Sequence, residues 1–375
     1  MTSKLSILAS TPFILLKYLF DILCLLPPWG RPVKEWTVNQ AVRVRTVRLF
    51  LLYWSLFRAG DRLKLKPGRE RERFEVIHSK SPDLYKGPLS DVTIEPGMIG
   101  ATWTPARPQP TRATSRKTTV ALHFHGGGFV IGDGRDHDTG FLAQTLVRQM
   151  GCTYICTPQY RLSSHKGGQF PAALQDALTS YLHLVNELCI PASQIILSGD
   201  SAGGNIVLGL LRYISEYGGE LGIPVPAAAA LWSPWTDVGV ALDPTSDIKS
   251  FSNYASDYLV KEFAHWGAYT VTAHGSIDGS GPYLSPLHHP FDMGGKIPLF
   301  VHGGEREVVR NDIEALSKAF ESKDWPVRLV ISKGCPHDVL LLGSRLGFHE
   351  EAEAVARDAK AFFSSTTALQ LEGSD

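Results

Sequence analysis

From residue 119 onward the sequence alternates between two kinds of segment. The runs "TVALHFH", "TYICTPQY", "SQIILSG", "AAAALWSP", "IPLFVHGG" and "VRLVISKG" are short and almost continuously apolar, as strands buried on both faces are. Between them lie longer stretches with helical spacing, "FPAALQDALTSYLHLVNEL", "GGNIVLGLLRYISEYG" and "RNDIEALSKAFESKD". Parallel strands need crossover helices, so this order predicts a doubly wound, mostly parallel α/β sheet. Sheets of that kind bind ligands beyond the carboxyl ends of their strands. Two regions break the alternation, residues 1–85 and an aromatic-rich insert at about 236–290. Both are candidates for a helical cap over those strand ends, with the main domain spanning 86–375. "PARPQPTRATSRKTT" (105–119) is polar, basic and proline-containing, and reads as an exposed loop between strands.

The composition allows a large core: 43% of the 375 residues are apolar and 20% are charged. Thirty-seven basic and thirty-seven acidic side chains balance, and no basic stripe interleaved with aromatics points to nucleic acid. Five cysteines, at 24, 152, 156, 189 and 335, form no C-x-x-C pair and leave one over, which is the usage of a reducing, intracellular compartment. Cys152 and Cys156, four apart on an expected strand, should share a face and pack as small hydrophobes.

The amino-terminal region offers two readings. "LSILASTPFILLKYLFDILCLLPPWG" is strongly apolar, but Pro12, Lys17 and Asp21 interrupt it and Pro27 and Pro28 stop it. Internal charges make crossing a bilayer costly, and no small-residue cleavage site follows, so neither a spanning helix nor a signal peptide is expected. "QAVRVRTVRLFLLYWSLFRAGDRL" sets Arg43, Arg45, Arg48 and Arg58 around an apolar stripe. Such a helix suits a membrane surface or a cap over an apolar pocket, and amphipathicity fits both. Residues 1–60 are therefore expected to lie against an intracellular membrane or to form a lid.

Three stretches carry chemistry. In "SQIILSGDSAGGNIVLGL", Ser201 falls at a strand-to-helix turn between Gly199 and Gly203. Such a turn strains the serine backbone, requires small neighbours and aims the amides of the following helix at developing negative charge. "HFHGGG" (123–128) follows a strand, and consecutive glycines expose backbone N–H groups of the kind that stabilise an oxyanion. The amide of Ala202, next to the serine, should join them. A nucleophilic serine needs a base and a carboxylate, which on such a sheet follow it in chain order. His337, in the loop "GCPHDV" after an apolar run, can reach back over the serine, whereas His349 sits in an amphipathic helix. The acid should lie after "IPLFVHGG", where Glu305, Glu307 and Asp312 are the candidates. His123 and His125 belong to the glycine turn and take no base role. "DGRDHD" (133–138) reads as the capped start of a helix rather than a metal cluster. The aromatics of the insert, from Trp235 to Tyr283, fit an acyl pocket or the ordinary core of a cap.

Together "HGGGF", "GDSAGGN", "YLSPL" and "GCPHDV" resemble the hormone-sensitive-lipase-type family of α/β-hydrolases, fungal-type esterases among them, over about residues 90–365. The resemblance implies an α/β-hydrolase fold with a helical cap and an esterase that acts on small to medium apolar or lactone-type esters through an acyl-enzyme. It implies no metal and no organic cofactor. It places the oxyanion donors at Gly127 and Gly128. The family's acid is usually the aspartate of D-P-L-R-D-E; "EREVVRND" aligns Glu307 with it, and Glu305 stays in play. "YRLSSHKGGQFPAAL" departs from the family's R-L-A-P-E, with a longer loop that lacks the proline and the glutamate. An acyltransferase or lactone-forming cyclase would use the same residues. A non-catalytic receptor on this fold would have lost the histidine, which stands here as His337.

Overall fold

The computed structural model describes residues 4–108, 118–293, 296–367, 369 and 371. Much of the basic loop expected at 105–119 lies outside the described residues. The elements in chain order begin with α1 (Lys4–Leu25), α2 (Val38–Phe57), β1 (Phe74–Ile77), β2 (Ile99–Thr104) and β3 (Val120–Phe124). Then come α3 (Asp136–Thr145), β4 (Tyr154–Gln159), α4 (Ala172–Leu182), β5 (Ile195–Asp200), α5 (Ala202–Leu221) and β6 (Ala228–Trp232). The chain continues with α6 (Lys261–Val271), β7 (Leu299–Gly304), α7 (Arg310–Glu321), β8 (Val327–Ser332), α8 (Val339–Leu346) and α9 (His349–Thr366).

The strands form one eight-stranded sheet in the order β1-β2-β4-β3-β5-β6-β7-β8. Pairing is parallel from β4 across to β8 and antiparallel at β1–β2 and β2–β4. All six expected strands are present. β1 and β2 were not signalled, because "FEVI" places a glutamate in a four-residue strand and "IGATWT" mixes glycine and threonine with its apolar residues. β1 also precedes residue 85, so strand pairing carries the sheet back into the segment read as amino-terminal.

Side chains alternate across the sheet, as the two-residue period requires. Leu122, Leu197, Leu231 and Val301 pack with α4, α5 and α7 on one face. Ala121, Ile196, Ala230 and Phe300 pack with α3 and α9 on the other. Both cysteines pack as small hydrophobes, as expected, but not on one face. Cys156 lies in β4 and joins the first cluster, whereas Cys152 precedes the strand and joins the second. The residues between them turn into β4, so a spacing of four does not preserve a face.

A third cluster makes the cap. α1 and α2 run antiparallel, joined where Tyr18 Oη meets Thr46 Oγ1 at 2.7 Å and where Asp21 takes both Lys17 and Arg45. Arg31 closes the hairpin by donating to the carbonyls of Leu25, Leu26 and Trp36. Thr37 and Gln40 form a capping box that starts α2, each side chain accepting the other residue's backbone N–H. Val44 and Leu51 of α2 then pack with Phe263 and Trp266 of α6 and with Val339 and Leu346 of α8. The insert after β6 is mostly short turns around α6, so helices from both irregular regions build the cap.

Trp36 anchors the hairpin to the sheet's carboxyl edge. It is buried, its indole N–H donates to Gly334 O at 2.6 Å, and Phe348 packs edge-on at 5.7 Å. Trp36→Ala should therefore cost about 3 kcal/mol or more through the cavity and the orphaned carbonyl. Thermal unfolding checks this, and a melting temperature equal to that of the native chain would show that the hairpin is not part of the folded unit.

Candidate active site

Ser201 occupies the turn between β5 and α5 with φ 49° and ψ −115°, a conformation that side-chain-bearing residues rarely adopt. Its surroundings hold it there. The Ser201 N–H donates to Trp232 O at 2.9 Å, and its carbonyl accepts from Trp235 N at 2.9 Å and Gly204 N at 3.1 Å. A Cβ on Gly203 would strike the carbonyls of Phe124 and His125, so only glycine lets α5 pass this close to β3. The first amides of α5, beginning at Ala202, have no acceptor within the helix and stand at its positive end.

The glycine turn lies beside the serine. Gly126 N donates to Asp200 Oδ2 at 2.7 Å, and Gly127 O accepts from Val130 N and Ile131 N at 3.0 and 3.1 Å. Gly127 and Gly128 have φ of 97° and 60°, where a side chain would be strained. Among the described residues, neither of their amides donates to a protein acceptor. The two preceding histidines shape the turn. His123 bridges Ser198 Oγ at 2.9 Å and Asp200 Oδ1 at 2.8 Å, and burial lowers its pKa to about 3. His125 donates Nδ1 to Gly126 O at 2.8 Å and stacks on Tyr160, its pKa lowered by burial to about 4.

His337 sits between β8 and α8, and its Nδ1 meets Glu307 Oε2 at 2.6 Å. Glu307 is fully buried after β7; its Oε1 accepts from Ser233 Oγ at 3.1 Å and from Gly304 N. Burial pushes the Glu307 carboxyl above its ordinary value, against the lowering effect of the His337 and Gly304 hydrogen bonds. Burial alone would disfavour a charged His337 ring. The Glu307 hydrogen bond and the charges of Glu307, Asp257 and Asp338 outweigh it, and the pKa rises to about 9.

Among the described residues, the other acid candidates make no bond to His337. Glu305 accepts Gly334 N at 2.9 Å and pairs with Arg306, and Asp312 lies in the first turn of α7. His349 begins α9 and is exposed. Asp133, His137 and Asp138 do come together at the start of α3, with Asp133 Oδ1 accepting Arg135 N at 3.0 Å and Asp138 Oδ2 accepting Asp133 N at 3.2 Å. These bonds close the turn that leads into α3, but the side-chain cap expected there is absent: Arg135 stands at the N-cap and no side chain caps the helix.

Ser201, His337, Gly126 and Gly127 open on one cavity of about 380 Å³. Its far wall is α2, through Val47, Phe50, Leu51 and Trp54, and its sides are Tyr258, Phe263, Leu341 and Leu342. Three buried carboxyls near His337 went unread in the sequence. Asp200 and Asp338 share a hydrogen bond, and burial raises both pKa values, that of Asp200 to about 6. Both flank motif residues, and that adjacency was the available signal. Asp257 accepts His337 N at 3.3 Å from within the insert, where nothing in the sequence marks it.

Comparison with known proteins bears on the family and the fold. Residues 121–341 match the family model described as the alpha/beta hydrolase fold. An acetyl-hydrolase of Streptomyces hygroscopicus is 28% identical over 249 residues, which cover 64% of this chain and 72% of that protein. An ethyl acetate hydrolase of Pseudomonas putida is 27% identical over 279 residues, covering 74% of this chain and 75% of that one. The crystal structure of an esterase from the bacterial hormone-sensitive lipase family superposes with a TM-score of 0.58 at 22% identity, covering 93% of this chain and 97% of its own; this likeness concerns the fold.

The His337 ring should titrate well above an ordinary histidine. Followed by NMR in the resting protein, it should stay charged at pH 7 and lose its proton around pH 9. Glu307→Gln should bring that midpoint down, because it removes the bonded negative charge, and Glu305→Gln should leave it in place. The reverse pattern would make Glu305 the partner.

Proposed function

The chain belongs to the α/β-hydrolase fold family and is a carboxylesterase-like hydrolase, and we propose that Ser201, His337 and Glu307 cleave carboxylic esters through an acyl-enzyme. The observation that carries this reading is the 2.6 Å bond from His337 to a buried carboxylate, with the imidazole and the strained serine facing one apolar cavity. Once its own proton has left, the His337 imidazole takes the proton of Ser201 as Oγ attacks the ester carbonyl. The carbonyl oxygen gathers negative charge, which the amides of Gly127, Gly128 and Ala202 receive. The imidazolium, held by Glu307, then protonates the departing alkoxide. Water repeats the sequence on the acyl-enzyme and releases the acid. Esters are favoured over amides because an alkoxide asks less of the general acid. The apolar wall of α2 suits a small to medium apolar acyl or lactone-type ester, and relatives named for acetate esters agree with a small substrate.

Ser201→Ala should lose labelling by a fluorophosphonate probe. Its turnover of p-nitrophenyl esters should fall by about three orders of magnitude or more, with the fold retained. Native-like turnover in the folded variant would remove Ser201 from the reaction.

We further propose that the protein lies on a membrane surface through its amino-terminal hairpin. Residues Ile7–Leu25 form a stretch long and apolar enough to cross a membrane, with a mean hydropathy of 1.7 and only 6% of it buried. Phe13 is 75% exposed, Phe20 64% and Trp29 81%. Each such side chain stabilises membrane binding by up to about 1.5–3 kcal/mol when fully buried. A surface position agrees best with Lys17 and Asp21 in mid-helix and with the ties from Tyr18 and Asp21 to α2. Alkaline carbonate should release the protein from membranes of expressing cells; retention in the pellet would mean that α1 spans.

A further inference from the structure

Residues 252–260 of the insert contain no regular helix or strand, yet they are held from two sides. From the amino-terminal hairpin, Arg48 of α2 donates Nη1 to the carbonyls of Tyr254, Asp257 and Leu259 at 2.9, 2.6 and 2.8 Å. Its guanidinium also lies 4.2 Å from the centre of the Tyr254 ring. From the opposite side, Asn253 Nδ2 donates to the carbonyls of Glu305 and Glu307, each at 3.0 Å, and the Ser256 hydroxyl donates to Arg306 O at 3.1 Å. Asp257 lies between these two sets of bonds and is fully buried. Its Oδ1 accepts Tyr258 N at 2.7 Å and His337 N at 3.3 Å, and its Oδ2 accepts Val308 N at 2.8 Å.

One side chain thus grips both loops of the acid–base pair. It takes the amide of His337 itself and the amide of the residue that follows Glu307. A buried carboxylate is costly unless its oxygens are bonded, and here both are. An acceptor at both ends is also what the site requires. An amide side chain would turn an NH₂ group toward one of these N–H donors. Tyr258, the next residue, sets its ring edge-on to the imidazole at 5.7 Å.

We propose that Asp257 and Arg48 are positioning residues for the His337–Glu307 pair: Asp257 fixes the spacing of the two loops, and Arg48 holds the Asp257 segment in place from α2. The inference rests on the esterase reading above and extends it, since it makes the amino-terminal hairpin a support of the catalytic geometry as well as a pocket wall. The groups facing His337 are Glu307 after β7, Asp257 and Tyr258 from the insert, Asp338 on its own loop, Asp200 at the elbow and His302 on β7. The carboxylates among them favour the imidazolium, and Asp257 is one of those acting directly on it.

Steady-state kinetics on p-nitrophenyl acetate with the full-length chain test this. Asp257→Asn should lower kcat at least tenfold with KM within twofold. It should also move the acid limb of the kcat/KM profile to lower pH, because one negative charge beside His337 is gone. Arg48→Met should lower kcat without moving that limb, and Arg48→Lys should recover part of the loss, since an ammonium can still reach the carbonyls. A merely structural role would lower stability and leave the limb where it is. If the native enzyme is active and Ser201-dependent while Asp257→Asn keeps kcat within twofold and an unmoved limb, the proposal is overturned. Activity that persists in Ser201→Ala would instead bring down the esterase reading. Should Asp257→Asn fail to fold, Arg48→Met decides, and a kcat within twofold of native overturns the proposal.

Discussion

Parallel pairing from β4 to β8 sends the carboxyl ends of β3, β5, β6, β7 and β8 out of one edge of the sheet. Everything chemical in the molecule depends on that common direction. The glycine turn leaves β3, the serine leaves β5, Glu307 leaves β7 and His337 leaves β8. Residues more than two hundred positions apart therefore meet at one edge without any long loop having to find its way there. The strand ends are also where backbone groups are unpaired, so amides are available for an oxyanion and carbonyls for bracing.

The site that results is dense in buried ionisable groups. Asp200, Asp257, Glu307, His337 and Asp338 are all shielded from solvent, a placement that costs heavily unless each is bonded. Each is. Asp200 holds the glycine turn through Gly126 N and His123, and Asp338 accepts Leu341 N at the start of α8. Asp257 joins the loops that carry Glu307 and His337, and Ser233, just after β6, donates to Glu307 while accepting from Asp338 N. The network ties the connections after β3, β5, β6, β7 and β8 into one arrangement, in which the charges of Glu307, Asp257 and Asp338 favour the protonated His337 ring against its burial.

The amino-terminal hairpin packs on α6, α8 and the His337 loop, where Trp36 donates to Gly334 O. Exposed side chains on it include Leu8, Phe13, Leu16, Leu19 and Phe20 of α1 and Phe50 and Trp54 of α2. Phe50 and Trp54 also line the cavity that Ser201 and His337 share.

Local pattern by itself determined the six central strands, the helices between them, the strained serine and the glycine turn. These depend on short-range periodicity and on residue types with restricted backbone choices, and both are written in consecutive letters. His337 was legible for the same reason, as a loop residue after a late strand, whereas Glu307 needed the family register to stand out from Glu305 and Asp312. Other features were decided only by tertiary structure. β2 owes its existence to pairing with β4 and β1 to pairing with β2, since neither has the apolar run that marks a strand by itself. Cys152 and Cys156 part company because the chain bends before β4. Asp257 looks like any polar residue in an irregular insert; only the folded chain, by folding that insert down against two distant loops, gives its carboxylate the amides of Val308 and His337 to hold. A hydrogen bond between segments fifty to eighty residues apart leaves no periodic trace in either, and for that reason the bracing of this site could be read only in three dimensions.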